Sequence, residues 1–227
     1  GTWAHVLGTD STGRDILSRL IAGARNSLAV AVFGVLLAGA VGTAIGLAAG
    51  YFKGLVDEVL MRLVDIQFAI PTILLAVLLA AVIGGGLATV VFTLTVTFWG
   101  IYARVVRAET LVLMQRDYVA LARVAGASGL RIATHHLLPN LLSGVVVLAT
   151  LQLGAAIGLE AALTFLGLGI QPPASAWGLM IADGRLYMSQ AWWVPTIPGI
   201  AIVATVLGAN LLGDFVGDRL DPRRSGA

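Results

Sequence analysis

The sequence predicts an all-α integral membrane protein that crosses the bilayer about five times. Three observations carry this: uncharged apolar runs of spanning length, a low charge content, and glycines and prolines that punctuate those runs. Hydrophobic residues make up 58% of the 227, charged residues 11%, and the mean hydropathy is +0.94. A soluble domain carries about 25% charge, and a soluble core of this size could not hide so much apolar surface. Cysteine is absent, which excludes disulfides, thiolate nucleophiles and cysteine-based metal sites. The net charge of +2 comes from basic residues scattered among the loops rather than a patch interleaved with aromatics, so no nucleic acid is expected as a partner.

The segment 1–26 reads as an extracytoplasmic stretch leading into the first helix. It has no charged region followed by an apolar one, so it is not a signal peptide, and a chain beginning Gly1-Thr2-Trp3 reads as processed or truncated. A transmembrane domain, 27–216, follows. The first crossing is placed at 27–52, uncharged throughout and longer than the roughly 20 helical residues that a ~30 Å hydrocarbon core requires. After Asp65 no charge occurs until Arg104, too long a run for one helix, and Gly84-Gly85-Gly86 divides it into crossings near 61–83 and 88–106. Pro71 should kink the earlier of these, because it removes a backbone donor and clashes with the preceding turn. The polar stretch 107–136 cannot span and reads as a cytoplasmic loop. Crossings near 137–159 and 192–215 complete the set, with Trp192 and Trp193 suited to the membrane interface. Between them, 160–191 holds Pro172, Pro173 and Trp177 and reads as a partly embedded outer loop, whose irregular backbone must be covered by protein. The last residues, 217–227, form a cytoplasmic tail.

Orientation follows from the basic residues. With 107–136 inside, Lys53, Arg62, Arg104, Arg107, Arg116, Arg123, Arg131, Arg219, Arg223 and Arg224 share that side, ten against the four of Arg14, Arg19, Arg25 and Arg185. The N-terminal end is then outside and the C-terminus cytoplasmic, and an upstream membrane helix is expected to be missing from this chain.

The loop has its own pattern. Asp117 is a candidate N-cap, Tyr118, Leu121, Ala122 and Ala125 recur at helical spacing, and Gly126 can end the helix in the left-handed conformation. Ser128 can cap a second short helix running toward Leu137 and Leu138, with Pro139 opening the next crossing. An amphipathic helix at this place could fill a groove on another protein or lie on lipid headgroups, and periodicity leaves both open.

Other residues read as follows. Gly34, Ala38, Gly42, Gly46 and Gly50 form a small-residue stripe for close helix packing, within the subunit rather than between subunits. Thr93 and Thr97 share a helix face and could offer hydroxyls to a solute or bond back to their own helix. Glu160 could line a pathway, although a solvated carboxylate at the outer end of a helix is the commoner reading. His135 and His136 diverge by about 100° on a helix and cannot chelate one ion, so no metal site is expected. An intramembrane enzyme would need a nucleophile and base or a carboxylate pair at membrane depth, and no predicted crossing contains one, so no catalytic residue is assigned.

The segment 117–140 resembles the cytoplasmic signature loop of the permease subunits of binding-protein-dependent ABC importers, Glu-Ala-Ala, three residues, Gly, nine residues, Ile, one residue, Leu-Pro. Ala122, Gly126, Leu138 and Pro139 match, while Ala120, Leu121 and His136 depart, so no carboxylate contact carries over to position 120. The dipeptide, oligopeptide and nickel branch, and its C-type permease, is similar in Leu7-Gly8-Thr9-Asp10, Gly13-Arg14-Asp15 and Ser18-Arg19-Leu20-Ile21, and in Gly126-Ala127-Ser128. Further similar stretches are His136-Leu137-Leu138-Pro139-Asn140, Glu160-Ala161-Ala162-Leu163-Thr164-Phe165-Leu166-Gly167-Leu168-Gly169 and Asn210-Leu211-Leu212-Gly213-Asp214, with Asp218, Leu220, Asp221 and Pro222 beyond.

The resemblance implies the type I ABC importer permease fold. It also implies a permease subunit forming half of a pathway for di- or oligopeptides or a related solute, such as a nickel complex or glutathione, worked by alternating access. Implied partners are a homologous permease, two cytoplasmic ATP-binding subunits, an extracytoplasmic solute-binding protein and membrane lipid. Coupling to the ATPases would fall to Asp117, Tyr118, Ala120, Leu121, Ala122, Arg123, Gly126, Ala127, Ser128, Leu138 and Pro139, and the outer loop with Pro172, Pro173 and Trp177 would lie near the docked binding protein. ATP and Mg would sit on the partner subunits and no cofactor on this chain. In agreement, a phosphate-binding loop needs Gly-Lys followed by Ser or Thr, and the only lysine is Lys53, between Phe52 and Gly54. The rival is a self-contained channel or secondary transporter, which would show ionisable groups near the midplane and internal repeats. Neither is visible.

Overall fold

Helices account for almost all of the regular structure, and the computed structural model describes residues 5–220. The expectations for 1–4 and for 221–227, which include Asp221, Pro222, Arg223 and Arg224, lie outside the described residues.

Helix α1, Ile16–Phe52, begins eleven residues before the expected crossing. Asp15 caps it, its carboxylate accepting from the Ser18 N–H at 2.8 Å and the Ser18 hydroxyl at 2.7 Å. Charges at Arg19 and Arg25 mark where a span leaves hydrocarbon, not where the helix must stop. At about 1.5 Å per residue, the 37 residues exceed any bilayer core, so the first turns stand clear of it.

The crossing expected at 61–83 is two helices, α2 (Gly54–Ala69) and α3 (Thr72–Ile83), bent by 91°. Proline does more here than kink. It cannot donate to the ladder, and it forces Ile70 into an extended conformation (φ −95°, ψ 125°), so the helix stops and restarts. The glycine break lies at Gly84 and Gly86, with φ of 97° and 144°, and α4 then runs from Leu87 to Leu113.

After two short helices, α5 (Asp117–Val124) and α6 (Gly129–Arg131), a π turn over Ile132–Leu137 leads without interruption into α7, Leu138–Phe165. The outer loop therefore starts later than expected, at 166, because Glu160–Phe165 continues the helix. It contains α8, Trp177–Gly184, and a turn of 3-10 helix, and α9 begins at Trp193 and reaches Leu220.

Two cores hold these helices. The larger joins α1, α4, α7 and α8 around Val30, Leu94, Tyr102, Ile157, Leu163 and Met180. The smaller, of Val106, Val119, Ile132, Leu137 and Leu141, closes the end of the bundle where α1 stops. The small-residue stripe of α1 faces α4 of the same chain. A Cβ added to Gly34 would lie 2.7 Å from Leu94, one on Gly50 2.7 Å from Thr110, and those on Gly42 and Gly46 would meet the carbonyls of Trp99 and Ala103. Ala38 is fully buried in the same seam.

Candidate functional site

The segment singled out in the sequence is built on the smaller core. Val119 is buried there, and Ala122 and Ala127 pack against it, which seats α5 across the end of α1, α4 and α7. The other face is open: Leu121, Val124 and Leu130 are 68%, 88% and 76% exposed, and Tyr118 is exposed beside them. Four large apolar side chains so displayed, next to a buried anchor, form a surface that water does not favour.

Asp117 is not the N-cap. The extended backbone that a cap adopts belongs to Arg116 (φ −76°, ψ 144°), and Asp117 occupies the first turn, where its charge still faces the positive end of the helix. Arg123, in the last turn, donates to the Met114 sulfur at 3.5 Å. Gly126 has a φ of 81°, and the bonds Gly126 N to Arg123 O and Ala127 N to Ala122 O, each 3.0 Å, close α5 in a Schellman turn. Ser128 caps α6, its hydroxyl accepting from the Arg131 N–H at 3.4 Å. Ala120 is exposed, and Leu138 and Pro139 lie beyond the π turn at the start of α7. Gly129 lets this strand of chain pass Tyr51, whose hydroxyl would be 2.6 Å from an added Cβ.

The pathway and outer-loop residues do not converge on one cavity. Thr93 and Thr97 are buried inside the subunit, and the Thr97 hydroxyl donates back to the Thr93 carbonyl at 2.6 Å. Glu160, expected as a solvated carboxylate, is fully buried because α7 continues past it under the outer loop; it accepts from the Thr164 hydroxyl at 2.8 Å. Trp177 is also buried, its indole N–H donating to the Leu20 carbonyl at 3.0 Å, so it fastens the loop to α1. Pro172 and Pro173 are exposed at the tip. Among the described residues there is no cluster of three metal-ligating side chains.

Sequence reading missed two constellations. At the end opposite α5, Asp10 accepts five hydrogen bonds from Thr12, Arg14 and Arg19, and Arg19 also reaches Asp183 of α8 at 3.0 Å. Burial pushes the Asp10 carboxyl up, but the Arg14 and Thr12 hydrogen bonds outweigh it and hold the group well below the ordinary carboxylate range. The Asp10 to Arg14 spacing was a signal for this. On α2, Gln67 donates to the carbonyls of Val96 and Thr97 at 3.0 and 2.6 Å, Arg107 makes a two-pronged ion pair with Asp57, and Arg104 pairs with Asp65 at 2.7 Å while stacking on Phe68. These polar ties hold the broken helix to α4.

Comparison with known proteins decides what this architecture serves. The family model described as "Binding-protein-dependent transport system inner membrane component" matches residues 42–226. The chain belongs to that family. Among curated members, a glutathione transport system permease protein, GsiD, of Pectobacterium atrosepticum is 46% identical over 97% of this chain and 73% of its own. The di/tripeptide transport system permease protein DppC of Pseudomonas aeruginosa is 44% identical over all of this chain and 75% of its own. In structure, a chain of the MetNI methionine ABC transporter in an inward-facing conformation aligns with a TM-score of 0.71 at 23% identity, covering 90% of this chain and 97% of that one. That likeness carries the fold, the type I ABC importer permease. As a member of this family the chain is a multi-pass inner-membrane permease subunit of an ABC importer, and its relatives are named permeases rather than ATPases. The self-contained channel or secondary transporter is not favoured.

Proposed function

We propose that this subunit forms half of the translocation pathway for di- or oligopeptides, or a related small solute such as glutathione, and is driven by two cytoplasmic ATP-binding subunits that dock on α5. The observation that carries this is the two-faced α5, anchored by Val119 and displaying Leu121, Val124 and Tyr118. An apolar helix face of this kind fits a groove on another protein. In this reading α5 lies on the cytoplasmic side, the end bearing Asp10 and α8 faces outward toward a solute-binding protein, and the C-terminus is cytoplasmic. ATP and Mg belong to the partner subunits, and a homologous permease completes the pathway. The substrate class rests on the relatives' printed names.

The test is a detergent pull-down of the tagged chain from its native membrane, with mass spectrometry of wild type and Leu121→Asp. Recovery of an ATPase subunit and a second permease, with the ATPase selectively lost in the variant, is expected, because the variant would bury a charge in the docking groove. Recovery of the chain alone would overturn the proposal.

A further inference from the structure

The coupling segment is joined to α7 by a turn that is rare in proteins. Over Ile132–Leu137 the backbone widens into a π turn, in which the Leu138 N–H donates to the Ala133 carbonyl five residues back. Such turns concentrate at functional sites. The local cause is Pro139, which has no N–H and whose ring would press on the carbonyl four residues earlier, that of His135, in a regular α-helix. Asn140 then secures the opened backbone, its side-chain amide donating to the His136 carbonyl at 2.7 Å.

The widened turn has a packing consequence. Ile132 and Leu137 are both buried in the core that seats Val119, and Leu141 follows one turn later. On an α-helix, residues five apart point about 140° away from each other, whereas a turn closed by five-residue bonds stacks them on one face. Both can enter the core because the turn is π.

We propose that Pro139 and Asn140 are positioning residues for energy coupling: together they hold the π turn that sets the rotational phase of α5 about the axis of α7. This rests on reading α5 as the ATPase-docking helix. Collapse to regular α-helix would shift the register by about one residue, roughly 100°, withdrawing Ile132 from the core and turning Leu121, Val124 and Leu130 away from their present direction.

The experiment uses the complete importer in liposomes with Pro139→Ala/Asn140→Ala in this subunit. ATP hydrolysis and the uptake of radiolabelled dialanine and of radiolabelled glutathione are measured, together with the distance between spin labels on cysteines at Ala125 and Leu142, with the cysteines of the other subunits replaced; this chain has none of its own. The expected result is an altered label distance and a fall of about fivefold in solute taken up per ATP, the scale of shift that a lost hydrogen bond produces. An unchanged distance, or an unchanged uptake per ATP, would overturn the proposal. Should the double variant not assemble, Asn140→Ala, whose wild-type side chain is exposed, decides by the same two readouts. Leu121→Asp run in parallel separates the two readings. If it retains the ATPase, the docking assignment fails; if it loses the ATPase while the π-turn variants behave as wild type, only the present inference fails.

Discussion

Gly126 turns the chain between α5 and α6 at a φ of 81°, with no atom within 4 Å of an added Cβ, so its glycine is needed for backbone conformation and not for space. A left-handed conformation costs an ordinary residue about 1–2 kcal/mol, and a β-branched one resists it more. Gly126→Val should therefore loosen α5 and uncouple solute uptake from ATP hydrolysis in proteoliposomes, whereas Gly126→Asn, which tolerates this region, should retain most of the coupling. Asp10 makes a prediction about pH. Its folded pKa is lowered, so the stability it contributes is fully present above the ordinary aspartate value near pH 4 and is lost as pH falls through that range toward the folded value. Asp10→Asn should lower the unfolding midpoint at pH 7 by roughly 5 °C, from a loss of about 2 kcal/mol, and the gap to wild type should close below about pH 4.

Helices were legible in this sequence to the extent that their determinants are local. Apolar runs, the Gly84 to Gly86 break and the Gly126 turn each announce themselves within a few residues. Helix ends at the membrane boundary do not, because charge shows where hydrocarbon stops and α1 simply continues to the end that holds Asp10 and α8. Glu160 was misjudged for the same reason: its burial, like that of Trp177, depends on α1 and the outer loop, more than a hundred residues apart, meeting at one place. The exposed face of α5 was half legible, since periodicity picked out Leu121 and Tyr118 but could not tell that Val119 is the anchor and Val124 the more exposed residue. The seam between α1 and α4 is a prediction at this scale. Gly46→Leu should drive the helices apart and cost about 1–3 kcal/mol or more by thermal unfolding in detergent, whereas Gly158→Ala, where an added Cβ meets nothing within 4 Å, should be neutral or slightly stabilising.

Across the whole subunit, α1, α4, α7 and α8 share one buried core, while α2 contributes only Val64 and α3 only Ala76 and Ala80 as buried residues. The broken helix is held instead by Arg107 to Asp57, Arg104 to Asp65 and Gln67. Arg107→Met should therefore raise hydrogen exchange across α2 and leave α1 unchanged, with a cost of about 1–2 kcal/mol because the guanidinium is partly solvated. The same 91° bend bears on how the protein settles in the membrane. With 16 and 12 residues, α2 and α3 reach about 24 and 18 Å, so neither crosses a ~30 Å core alone. The turn between them also carries backbone groups that lipid cannot satisfy. We expect α2, α3 and α4 to settle in the membrane as one unit, because the bent pair gains its polar ties only once α4 presents the Val96 and Thr97 carbonyls to Gln67.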